Sequence, residues 1–273
     1  KTELTPVIPI EVSRMWRFGF IFMMALCAAL PGAAAAAPAG TAVGVDPMAS
    51  DVAKTTRTLV VGADIAMGDR VVTGSTGQVQ IVFTDQTHLV VGPGSSLVIA
   101  SYLLRGGGSA KRFAIDALGG TFRFVTGQSD HSAYTISTPT GTIGVRGTAF
   151  DFIVDPRHPI VSGRAPGTAV ALYRGAVELC NLAGRCVELT QPCDLGAASR
   201  GDAFTVDSGQ AAAANVRARF RYIVNQRSLL SGFRIPEAGR CFISVSVPQS
   251  LAPTMPGGTG CVPGQRGRGL ARC

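Results

Sequence analysis

The residues best suited to acid–base or metal chemistry are three histidines, His88, His131 and His158. None stands at the His-x-His or His-Glu-x-x-His spacing that brings two imidazoles onto one metal ion. A polypeptide catalyst needs a nucleophile with its base, paired carboxylates in a cleft, or a metal set. Asp85, Gln86, Thr87 and His88 offer instead a turn between two apolar runs, with a capping aspartate and an exposed histidine. The seven cysteines contain no Cys-x-x-Cys pair, which argues against thioredoxin-like exchange and against a zinc ribbon. The Gly-Thr-Ile-Gly-Val-Arg-Gly segment at 141–147 has the glycines of a phosphate loop but neither its lysine nor its strand-to-helix setting. The sequence therefore predicts a non-enzyme with no catalytic residues, no cofactor and no metal.

Binding is the remaining chemistry, and arginine is the residue that could perform it. Arg146, with five donors in a fixed fork, suits carbonyls or a carboxylate such as Asp151. Arg217 and Arg221 lie four residues apart on what reads as one helical face, with Arg219 between them and no acid nearby. Arg146, Arg217, Arg219 and Arg221 are thus the candidate binding residues. A formal charge of +8 would draw the chain toward anionic surfaces, an argument about encounter and not about recognition. A protein or glycan of the bacterial envelope is the expected partner, and nucleic acid is not.

The compartment follows from the first forty residues and from the cysteines. Arg14 and Arg17 precede an uncharged apolar run at 18–30, Pro31 and Gly32 interrupt it, and Ala37-Pro38-Ala39 fits a small-x-small cleavage site. Residues 1–39 thus read as a signal peptide with a preceding extension, freeing a chain near Gly40. The competing reading is an uncleaved anchor, since 18–37 approaches the roughly 20 residues that span a bilayer. Either way the remainder lies outside the cytoplasm, periplasmic or secreted, with a membrane involved only if the leader stays. Beyond Cys27 stand six cysteines, Cys180, Cys186, Cys193, Cys241, Cys261 and Cys273, an even number that reads as disulfides in an oxidising compartment. Cys180 and Cys186 would face each other across a hairpin loop, although Cys193 is an alternative partner for either. The grouping of three at 180–193 and three at 241–273 implies at least one bridge between the two regions.

The elements that would position these residues are mainly strands. Residues 40–56 are small and irregular and read as a linker. From 57 to 206 short runs of Val, Ile, Thr and Phe alternate with glycine-rich turns, and Val79, Ile81 and Phe83 share one parity, as do Phe122 with Phe124 and Phe150 with Phe152. Strands this closely spaced leave no room for crossover helices and predict a solenoid-like or sandwich-like β domain. Residues 207–232 read as an amphipathic basic helix, started by Ser208, whose apolar face of Val216, Phe220, Ile223 and Val224 would rest on the β domain. Residues 233–273 form a Gly/Pro-rich tail held by its cysteines.

Several linked segments resemble the FecR domain, the periplasmic domain of the regulator of ferric citrate transport. They are Gly-Asp-Arg-Val-Val-Thr-Gly at 68–74, Gly-Gln-Val-Gln-Ile-Val-Phe-Thr-Asp at 77–85, Leu-Val-Val-Gly-Pro-Gly-Ser at 89–95, Gly-Thr-Phe-Arg at 120–123 and Thr-Pro-Thr-Gly-Thr-Ile-Gly-Val-Arg-Gly-Thr at 138–148. Gln86 stands where that pattern usually has glycine. The resemblance covers 61–154, with 168–201 similar to the closing strands. It implies a β-rich extracytoplasmic domain for protein contacts. Two alternatives accompany it: a transmembrane signalling component regulating an extracytoplasmic-function sigma pathway, and a peptidoglycan- or polysaccharide-binding protein. The signalling arrangement would need a cytoplasmic segment longer than the one ahead of the apolar run.

Overall fold

Fifteen strands join into one hydrogen-bonded network in the computed structural model, which describes residues 38–46, 49–52, 56–207 and 211–243. In chain order they are β1 (Gly40–Val45), β2 (Ala49–Val52), β3 (Thr56–Thr58), β4 (Asp64–Ile65), β5 (Arg70–Thr73), β6 (Val79–Phe83), β7 (His88–Val91) and β8 (Ser96–Leu104). There follow β9 (Ala110–Val125), β10 (Tyr134–Thr138), β11 (Gly141–Asp155), β12 (Gly167–Asn181), β13 (Cys186–Leu189), β14 (Leu195–Ser199) and β15 (Ala203–Thr205). The main path runs β15-β14-β12-β11-β10-β9-β7-β6-β1-β4, with β2, β3, β5, β8 and β13 off it. Three short helices follow, α1 (Ala211–Arg219), α2 (Arg221–Val224) and α3 (Pro236–Ile243). The protein is thus mainly β, ending in short helices and a disulfide-tied segment.

The long strands fork. The first half of β9 pairs with β8 and, in parallel, with β10, whereas residues 120–125 pair with β7 and β11. Period-two burial explains why the halves hold together. Val79, Ile81, Phe83, Phe122, Phe124, Phe150 and Phe152 point into one continuous core, and neighbouring rings stack at 4.8 Å between Phe122 and Phe152.

The opposite face of the same strands is covered as well. Ala213, Val216, Phe220, Ile223, Ile235 and Ala238 pack on Ala149, Ile153, Ala169, Ala171, Tyr173 and Leu195. Tyr222, Leu229 and Phe233 pack on Val90. The helices are therefore a cap on the β domain, made with Val216, Phe220 and Ile223 of the expected apolar face, whereas Val224 of that face is exposed. Gln78 and Gln80, outward-facing on and beside β6, receive the cap through Tyr222 Oη to Gln78 Oε1 at 2.8 Å and Leu230 N to Gln80 Oε1 at 2.8 Å.

Three local expectations change. Residues 40–56 are no linker: β1 and β2 lie within them, and the small residues there serve close approach, since a side chain at Gly40 would come within 2.7 Å of Val82 O. Ala39 is already part of the fold, buried, with its N–H donating to Ile65 O and its carbonyl accepting from Thr84 N. The single helix expected over 207–232 breaks at Phe220, whose backbone is extended. Phe220 and Tyr222 are both fully buried, and positions two apart on a continuous helix face different ways; the break turns both inward. Finally, α3 occupies the start of the segment read as an irregular tail.

Two disulfides are present among the described residues. Cys180–Cys186 closes the β12–β13 hairpin, and Cys193–Cys241 ties α3 to the loop before β14, which bridges the two cysteine groups. Cys261, Cys273, Ser208 and residues 1–37 of the leader lie outside the described residues. No helix among the described residues is long and apolar enough to cross a membrane.

Candidate functional site

A cleft of about 530 Å³ opens where the fork in β9 separates two branches of the sheet. β9 turns there at Leu118, Gly119 and Gly120. Gly120 has φ +115° and lies so close to Ser95 that a Cβ would overlap it, which fixes glycine at the bend. The remaining walls are Arg70 with β5, Gly94 to Ser96, the end of β11 with residues 156–158, and Arg219 from α1. The size is within the range of small-ligand sites.

Asp155 organises one wall. Its Oδ1 accepts from the backbone N–H of Arg157 and of His158, at 3.1 and 2.8 Å, and lies 3.2 Å from His158 Nδ1. Its Oδ2 accepts from Arg219 Nη2 at 3.4 Å, and Arg219 Nη1 donates to Pro159 O at 2.6 Å. Partial burial pushes the Asp155 carboxyl up, but the backbone donations of His158 and Arg157 and the neighbouring imidazole outweigh it and hold the group below its ordinary range. On the other wall Arg70 Nε donates to Ser96 Oγ at 3.1 Å.

Serine, histidine and aspartate share this cleft without forming a hydrolytic set. Ser95 Oγ donates to Thr121 O and accepts from Thr121 N, and Ser96 Oγ is engaged by Arg70. Among the described residues neither hydroxyl is hydrogen-bonded to His158. Glu178, Cys180 and Cys186 come together closely enough to suggest a metal set, but the two sulfurs are bonded to each other and do not ligate.

The four arginines singled out from the sequence go to different places. Only Arg219 lines the cleft. Arg146 projects from β11 into solvent 4.0 Å from Glu188, and Asp151, its suggested partner, pairs with Arg123 instead. Arg217 is buried at 2 % exposure, and burial lowers its pKa. Arg221, beyond the break at Phe220, is exposed, so it shares no face with Arg217. Arg70 and Arg157, which the sequence reading passed over, are the other cleft arginines; Arg70 begins a strand within a quoted motif, and nothing local marked either.

A second polar cluster also escaped the sequence reading. Arg123 and Asp151 are cross-strand neighbours on β9 and β11, on the face turned toward the cap. They form a two-pronged ion pair at 2.6 and 2.9 Å with both side chains fully buried. Tyr173 Oη donates to Asp151 Oδ2 at 2.7 Å, while Arg123 reaches Gln226 Oε1 and the carbonyls of Tyr222 and Phe233 in the cap. Burial pushes the Tyr173 hydroxyl well above its ordinary pKa, and the Asp151 charge adds to it. Sealed from solvent, this cluster joins cap to sheet and offers a ligand no access. The sequence did contain a signal: Arg123 and Asp151 each sit between two phenylalanines, as a charge does on a strand covered on both faces.

Residues 69–178 match the family described as FecR protein, so the chain contains a FecR-domain region within a mostly β protein. Two crystal structures, at 1.65 and 2.50 Å, of a protein described as a "putative anti-sigma factor" from Parabacteroides distasonis ATCC 8503 are similar, each with a TM-score of 0.39 and 13 % sequence identity. The similarity covers 50 % of this chain and 59 % of the other, so this chain spans little more than half the length of that protein. Among curated proteins none matches.

Proposed function

We propose that this is a non-enzymatic protein of the bacterial cell envelope, periplasmic or secreted, whose FecR-type domain binds another envelope component, a protein or a glycan, through the cleft at the β9 fork. The observation that carries this reading is the combination of an open cleft with a glycine bend at its floor and arginine at its rim, built from the FecR region except for Arg219. The two disulfides support an oxidising compartment.

Leu118 stands in the cleft at 37 % exposure, and Leu182 stands at the tip of the β12–β13 hairpin at 64 %. A photo-crosslinking residue at Leu118 is expected to capture a discrete envelope component in living cells, and the same residue at Leu182 is not. Identical capture at both positions would remove the cleft from the argument. Mass spectrometry of the adduct separates a protein partner from a glycan, and recovery of a sigma-pathway regulator would turn the function toward signalling.

A further inference from the structure

Among the side chains that line the cleft, Arg70, Arg157, Arg219 and His158 are basic or imidazole, and Asp155 alone is acidic. The charges do not cancel evenly. Asp155 is fully engaged on its own wall, by two backbone N–H groups, by His158 and by Arg219. Arg219 spends both of its terminal nitrogens on Pro159 O and Asp155, so it builds the wall. Arg70 uses only its Nε, on Ser96, and among the described residues neither Arg70 nor Arg157 forms an ion pair. The cleft therefore holds two guanidinium groups on different walls, each with donors to spare. No Phe, Tyr or Trp ring lines it; the one ring in its lining is the His158 imidazole, which faces Asp155.

We infer that the cleft binds a phosphate group, with Arg70 and Arg157 as its ligands; this rests on the cleft being the contact site. A carboxylate has two oxygens and satisfies one guanidinium fork, whereas a phosphate presents enough oxygens to be held from two walls at once. A side chain at Gly119 would stand at ordinary contact distance, 3.8 Å from Val154 O and 3.9 Å from Pro156 Cδ, both on the cleft wall. The position is therefore a place to fill the cleft without altering its charge.

Calorimetric titration of the full, oxidised chain with inorganic pyrophosphate tests the inference. Saturable binding is expected, weakened about a hundredfold or more in Arg70→Gln/Arg157→Gln, since each of the two arginines loses at least one charge-assisted hydrogen bond worth roughly tenfold. Gly119→Val should abolish it. Both arginines are exposed, so the double variant is expected to keep the wild-type unfolding midpoint. Vesicles of phosphatidylcholine with and without phosphatidylglycerol separate the sources: retention only with phosphatidylglycerol identifies a lipid headgroup, and pyrophosphate binding alone a soluble phosphate ester. The inference is overturned if pyrophosphate and phosphatidylglycerol both fail to bind, if binding survives loss of both arginines, or if galacturonate binds equally well. The photo-adduct at Leu118 separates the two levels. Adducts lost in Gly119→Val but kept in the arginine variant would leave the cleft as a contact site and remove phosphate as its ligand.

Discussion

Of the buried carboxylates among the described residues, Asp85 beside the phenylalanine core and Asp151 beneath the helical cap are held by different means. Asp85 is caged by neutral donors: Tyr102, Tyr134, Ser129 and Thr87 hydroxyls and the Thr87 N–H, at 2.7 to 3.2 Å. Burial pushes the Tyr102 hydroxyl up to about 12, and the Asp85 charge adds to the shift. Asp151 has a full counter-charge, and that counter-charge is itself buried. A cage of hydroxyls loses its strength one hydrogen bond at a time, whereas an ion pair out of water leaves a bare charge as soon as either member goes. The inner site is therefore graded and the outer one all-or-none, and the outer one also spans two parts of the chain, so its failure releases the cap.

That contrast is most directly broken by Arg123→Met, expected to cost about 3–5 kcal/mol in chemical denaturation. Arg123→Met/Asp151→Leu should recover more than half of the loss, because no isolated charge remains. If the double variant is no better than the single one, the pair is not the joint described above. A smaller effect is expected from the disulfide that reinforces the same joint. Cys193 and Cys241 are 48 residues apart and Cys180 and Cys186 only 6. Loop entropy then gives about 4 kcal/mol for Cys193→Ser/Cys241→Ser against about 2 kcal/mol for the hairpin pair. Equal losses would mean that the cap is held by its packing alone. Smallest is Asp85→Asn, which keeps part of the cage and should cost about 1–2 kcal/mol; a loss as large as that of Arg123→Met would erase the difference between the two sites.

The same contrast explains what was legible in the sequence. Val79, Ile81, Phe83 and the Phe pairs announced strands because burial on one face leaves a period-two trace in the chain itself. The Cys180–Cys186 hairpin was likewise local, six residues from end to end. The Cys193–Cys241 bridge was legible only as a link between two groups. Its members, like Arg123 with Gln226, meet through the folding of the cap, which no local spacing records. The helical face misled at Phe220 for a related reason: alanine-rich propensity favours one continuous helix, and the need to bury both Phe220 and Tyr222 overrode it. Asp151 as the partner of Arg146 was misjudged because a fork of donors on a strand says nothing of which face will be covered. The cleft was invisible altogether, since its walls come from β5, β9, β11 and α1.

Ala39, paired with Ile65 and Thr84, also constrains the timing of any maturation. A protease takes its substrate as an accessible extended segment, which residues locked between neighbouring strands cannot offer. Were a leader removed after Ala39, the cut would have to come before the chain folds, and it would leave a charged ammonium at Gly40, buried against Val82 and Phe83. A cut two residues earlier, after Ala37, would spare both backbone pairings and put the new ammonium on the exposed Pro38, where it can be hydrated.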